Sequence, residues 1–361
     1  MNIKYTEIPI GFESDTLLES SRAGLYYAYD DDCTDWVTTE LKRGEVFGLR
    51  DFVLMNLICP EGRILDVGAN IGTFSLVAGL TEKYDVIAIE ASPQSTQIYQ
   101  AAIDKNKLDN DRPNGFTNIK LVNALVSNVE ELVEFLDNGK DSARAATDAD
   151  RGEECIISLE SRTIADILEE SQWDTVDFIK MDIEGYEVKA FEGMEEFLVK
   201  DDAPAILFEV NAYTLGLYDE TPNSLMRTLE KYGYFCFTNE GISLVPSNSF
   251  EPIPTCHDDF LAVKERHLAL LKEVGFQFSL PYTYDQRIEK ISESIKESVP
   301  ECLEYWLKFA SEFPFILGEE RVKKEFENAV GRSENEKFKD AVPELLDKKR
   351  ESTRSQLRYL S

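Results

Sequence analysis

The stretch RILDVGANIGTFSLVAGL, residues 63–80, limits the possible folds more than any other. A short apolar run passes through a glycine-bearing turn into a segment of helical period, the opening unit of a nucleotide-binding α/β sheet. Further apolar runs follow, DVIAIE, NIKLVNALV, VDFIKMDI and PAILFEVN, separated by helix-patterned segments such as SPQSTQIYQAAIDKNKL, YEVKAFEGMEEFLVK and NSLMRTLEKYG. Strands alternating with helices predict a mostly parallel, doubly wound α/β sheet. The runs are apolar throughout rather than alternating, as expected where helices cover both faces.

The turn itself selects a cofactor. The strand delivers Asp66 and Gly68 to the carboxyl edge of the sheet, where open α/β sheets bind ligands. Gly68 and Gly72 permit positive φ and close approach, and Asn is the non-glycine residue that best tolerates αL. Asn70 therefore keeps the turn where a dinucleotide loop usually carries its second glycine, and adds a polar side chain. A pyrophosphate favours bare backbone amides with no carboxylate beside them, so Asp66 speaks against NAD and an NAD-dependent oxidoreductase. S-adenosylmethionine (SAM) carries a sulfonium and an ammonium and no phosphate, and suits the acid. Glu90 ends DVIAIE, with Ala91 next; a carboxylate there accepts both hydroxyls of a ribose. Each acid alone could cap the following helix. Together with the glycines they predict a cofactor site of Asp66, Gly68, Asn70, Gly72, Glu90 and Ala91.

A second constellation lies in DFIKMDIEGYEVKAFEGMEEFL, residues 177–198. Lys180, Asp182 and Glu184 alternate, so an extended strand would place them on one face. Ionisable groups on an otherwise apolar strand are costly unless they pair or reach a cleft. Helix capping by Asp182 or Glu184, neutralised by Lys180, is the structural alternative. Glu209 ends AILFEVN and Asn211 follows on the same face, which predicts acceptor-binding positions if the strands are neighbours. The histidines are His257 and His267. His257, before a final strand in TCHDDFLAV, could reach the cleft as a base, whereas His267 sits in a charged helical run and is expected to be solvated. The catalytic candidates are thus Asp182, Glu184, Lys180 and His257. Asp182, Glu184 and Glu209 offer hard oxygen ligands, but no spacing demands a metal, and none is expected.

The stretches ILDVGANIGTFS, IAIEASPQ, SRTIADIL, DFIKMDIEGYEVKAFEGM and ILFEVN together resemble the FkbM-type methyltransferases, over roughly residues 40–264. The resemblance implies a Rossmann-like, seven-stranded class I methyltransferase fold, SAM as cofactor, and O-methylation of sugar or polyketide-type hydroxyls. It also implies that Asp66, Gly68, Asn70, Gly72 and Glu90 hold SAM, with Asp182 and Glu184 at the active site.

The chain's formal net charge is −31. Residues 265–361 hold 17 basic and 19 acidic residues, so the acid excess lies in the first 264. Such a surface repels nucleic acid. No run is long and apolar enough to span a membrane, and six scattered cysteines without a Cys-x-x-Cys pair suggest reduced thiols and a cytoplasmic enzyme. Residues 1–45 read as a leader, 46–266 as the methyltransferase domain, and 267–361 as a helical extension suited to self-association or to docking an enzyme partner. Residues 137–154 read as a mobile loop. A SAM-binding scaffold without catalysis is the alternative from outside enzymology.

Overall fold

The computed structural model describes residues 1–8, 24–81, 83–108, 116–138, 143–240, 243–251, 253, 257–297, 306, 309–310, 313, 316–317, 319–332 and 339. Nine strands build the main sheet: β1 (Gly62–Val67), β2 (Tyr84–Glu90), β3 (Ile119–Asn123), β4 (Phe178–Met181), β5 (Ala205–Asn211), β6 (Phe235–Glu240), β7 (Ser243–Ser247), β8 (His257–Val263) and β9 (Gln277–Phe278). Their spatial order is β3-β2-β1-β4-β5-β8-β6-β7-β9. Strands β1 to β5 run parallel, and β8 is antiparallel to both β5 and β6. The run from β3 to β6 is the anticipated seven-stranded unit; β7 and β9 widen it at one edge.

Successive residues of each buried strand point to opposite faces, and the core divides accordingly. Ile64, Val86, Phe178, Leu207 and Leu261 pack with helices Leu49–Ile58, Thr73–Gly79 and Pro93–Lys107. Leu65, Ile87, Ile179, Phe208 and Phe260 pack with helices Ile164–Glu170, Glu187–Glu192 and Pro222–Lys231. Both faces are covered, which is why the strands are apolar throughout.

Several expectations change. NIKLVNALV is not one strand: β3 stops at Asn123, whose amide donates to the Glu90 and Ala91 carbonyls at 2.8 and 2.9 Å. Leu125–Val126 instead joins a second sheet with Ile156–Arg162, Leu132–Leu136 and Arg144–Ala145. The presumed mobile loop therefore holds a strand, and Arg144 fastens it to Asp150 through two hydrogen bonds of 2.8 and 2.9 Å; residues 139–142 lie outside the described set. The presumed leader is part of the body. Strand Ile3–Ile8 pairs with Leu25–Asp30, Leu25 and Tyr27 enter the main core, and the Asn106 side chain bonds the Tyr26 N–H and C=O at 3.0 and 2.7 Å.

The boundary at 266 falls inside helix Glu265–Glu273, whose Leu271 is fully buried in the main core. His267 is buried too, not solvated: its Nδ1 accepts the Lys264 N–H at 3.1 Å. A separate apolar cluster begins with helix Tyr284–Glu297, where Ile288, Ile291 and Ile295 meet Trp306, Phe309 and Phe326 and reach Ala212 on the sheet domain. Among the described residues no helix is long and apolar enough to cross a membrane.

Candidate functional site

Strands β1, β2, β4 and β5 end at one edge of the sheet, and the reversed strand β8 begins there. A cavity of about 370 Å³ opens at that edge. Asp66, Gly68, Asn70, Glu90 and Ala91 line it together with Lys180, Asp182, Glu184, Glu209 and His257. The second sheet roofs it with Leu125, Phe135 and Ala145, and Trp36 and Phe47 stand at its wall, 60% and 41% exposed.

The β1 turn is built by close approach. Gly68 has φ +80°, and a Cβ there would lie 1.7 Å from the Asp182 carbonyl oxygen, so β1 and β4 can meet only over a glycine. Asn70 adopts αL at φ 50°, as its residue type suggests. Gly72 serves packing instead. Its missing Cβ makes room for the Tyr99 ring, at 2.2 Å from the ideal position, and it does not line the cavity.

Glu90 is buried, and its carboxylate is set by two backbone amides, Asn70 N–H to Oε2 at 2.8 Å and Ser92 N–H to Oε1 at 2.7 Å. These bonds fix its orientation and leave lone pairs for two more donors. Burial pushes its pKa up to about 7, against the pull of the two amides. Asp66 is 1% exposed; Oδ2 accepts the Ser75 hydroxyl, while Oδ1 is buried with no partner. Burial pushes Asp66 up to about 6, with Lys180 opposing.

Lys180 sits level with Asp66 in the β4–β1 register and binds Asp182 Oδ2 at 2.9 Å. Burial alone would lower its pKa, but the charges of Asp182, Asp66 and Asp51 outweigh burial and raise it. Alternation does not carry all three residues. Strand β4 ends at Met181, and Glu184 reaches the cavity through a turn in which it and Gly185 have φ 55° and 99°. A glutamate at positive φ is uncommon and marks a site worth chemical attention. One oxygen each of Asp182, Glu184 and Glu209 lie within 4.8 Å of one another.

His257 opens β8 and bonds Glu209 Oε1 through Nε2 at 2.7 Å, diagonally across the β5–β8 ladder. That bond raises the His257 pKa to about 9 against burial. Burial raises Glu209, and the Asp182 charge adds to it. Asn211 is not at the site: it caps helix Ala212–Leu217, its Oδ1 accepting the Tyr213 and Thr214 N–H groups at 3.2 and 3.4 Å. Sequence reasoning missed Ser75 and Ser92, which set the two cofactor-side acids, and Glu187, which accepts the Ile183 and Gly185 N–H groups at 3.1 and 3.2 Å and so ties the Glu184 turn. It also missed Trp36 and Phe47, although two aromatics in DWVTTELKRGEVFG were a legible signal.

Residues 66–236 match the family model described as the methyltransferase FkbM domain. No curated protein matches the chain. Among solved structures, the precorrin-6y C5,15-methyltransferase of Geobacter metallireducens is similar at 15% identity, over 60% of this chain and 87% of that one, with a TM-score of 0.33. The bifunctional kinase–methyltransferase WbdD is similar at 11% identity, over 64% of this chain and 43% of that one, with a TM-score of 0.36. An O-methyltransferase from Bacillus cereus in complex with SAH is similar at 14% identity, over 64% and 91% respectively, with a TM-score of 0.33.

Proposed function

Residues 66–236 match the methyltransferase FkbM domain, and from that match we propose that the chain methylates a hydroxyl of a sugar or related small acceptor, with SAM as donor. One observation carries this reading: a single cavity is lined both by Asp66 and Glu90 on the cofactor side and by Asp182, Glu184 and Glu209 on the other. The cofactor-side residues fit the group. Asp66 Oδ1, buried without a partner, suits a cationic centre, and Glu90, held by two amides, suits a pair of ribose hydroxyls. When bound, SAM supplies a methyl already activated on a sulfonium.

The chain's own residues then have to align the acceptor, exclude water and take a proton. Lys180 binds one oxygen of Asp182 and leaves the second to accept the acceptor hydroxyl and its proton. Glu184 lies beside it to orient the hydroxyl, and His257 steadies Glu209. Trp36 and Phe47, exposed at the cavity wall, support a sugar ring stacked on an aromatic face. Six scattered cysteines without a Cys-x-x-Cys pair support a reducing, cytoplasmic setting.

Labelled-methyl transfer from SAM to a panel of nucleotide sugars and oligosaccharides tests the reading. Asp182→Asn should leave SAM binding nearly intact and cut turnover about a hundredfold or more. Full turnover in that variant would remove Asp182 from the proton's path.

A further inference from the structure

We propose that Asp182, Glu184 and Glu209 bind a divalent hard cation, Mg2+ or Mn2+, in the acceptor part of the cavity. In the sequence these acids show no metal-ligand spacing. The fold joins them: the turn after β4 brings Glu184 back toward Asp182, and the neighbouring β5 carries Glu209 two residues before its end, placing one oxygen of each within 4.8 Å of the others.

A second observation points to the ligand. Glu209 is 9% exposed, and its Oε2 is fully buried with no hydrogen-bond partner, on a side chain that lines the cavity. A buried carboxylate oxygen without a partner, on a side chain that meets two further carboxylates, is costly unless a cation meets it. Each cationic neighbour takes one oxygen of its carboxylate. Lys180 holds Asp182 Oδ2 at 2.9 Å and His257 holds Glu209 Oε1 at 2.7 Å. Each contact fixes a carboxylate and leaves its second oxygen for a ligand. Asp51, Asp66 and Asp259 surround the same lysine, so the acids outnumber the cations that face them.

The donor set is all oxygen, which selects Mg2+, Mn2+ or Ca2+ over zinc or copper. Three carboxylates match a hexacoordinate cation whose remaining positions are taken by water and by acceptor hydroxyls. A hydroxyl bound to such a cation loses its proton more readily. This role rests on the methyl-transfer reading; binding of the cation does not.

The test is titration of the full-length protein with Mn2+, followed by the loss of the free-ion electron paramagnetic resonance signal, with and without SAM. One ion per chain is expected, with affinity about tenfold or more weaker in Glu184→Gln and in Glu209→Gln. Glu184→Gln covers the case in which the buried Glu209→Gln fails to fold, and Glu196→Gln, on an exposed helix position, should bind as the wild type does. No stoichiometric Mn2+ site, or a site that both variants leave unchanged, overturns the proposal. Mn2+ binding without SAM binding would uphold the cation site and defeat the methyltransferase reading, so the two fail separately.

Discussion

At the scale of single residues, the cofactor turn is the most legible part of the chain. Asn70 is αL because few other side chains tolerate it, and Asp66 and Glu90 reach the cavity because strand ends place them there. Gly72 and Asn211 depart from expectation for a common reason. A glycine freed for packing and one freed for a ligand look alike in sequence, as do an asparagine that caps a helix and one that faces a cleft. Only the Tyr99 ring and the Ala212–Leu217 helix decide between them. Gly68 is the stricter position, since a side chain there meets both positive φ and the Asp182 carbonyl. Gly68→Ala should cost roughly 2–5 kcal/mol of stability, read by denaturant unfolding. A variant as stable as the wild type would mean that β1 and β4 do not approach as described.

At the scale of elements, the parallel strands and their helices follow from continuous apolar runs, whereas the second sheet does not. Its strands are short, and the chain between 137 and 154 is rich in charge, which reads as loop. What orders it is one local pair and one distant contact: Arg144 grips Asp150 twice, and the Tyr218 hydroxyl reaches the Ala145 carbonyl at 2.6 Å. The Arg144 guanidinium holds the Asp150 carboxyl well below the usual carboxylate range, so this latch is set at neutral pH and loosens only in strong acid. Charge-assisted bonds of this kind contribute about 1.5–3 kcal/mol each. Arg144→Ala should speed protease cleavage between residues 137 and 154 by roughly tenfold or more while the main sheet keeps its protection. Unchanged cleavage would show that the latch does not hold the roof.

At the scale of the whole molecule, the acid excess lies in the first 264 residues, five carboxylates line the cavity at one edge of the sheet, and the tail is near neutral. Burial raises Asp66 to about 6 and Glu90 to about 7 in the folded chain. Both values exceed those of the unfolded chain, so the folded state binds more protons between about pH 4 and 7, and these two groups destabilise it as pH rises through that window. A cationic ligand reverses the balance: it favours both ionised carboxylates, expels their protons, and binds more tightly as pH rises from 6 to 8.

That linkage makes calorimetric titration of SAM and of NAD, in buffers of different ionisation enthalpy, the most direct measurement of the central claim. The account predicts that SAM binds one per chain, releases protons near pH 6.5, gains affinity toward pH 8, and that NAD gives no binding heat. Binding of NAD without binding of SAM would contradict it.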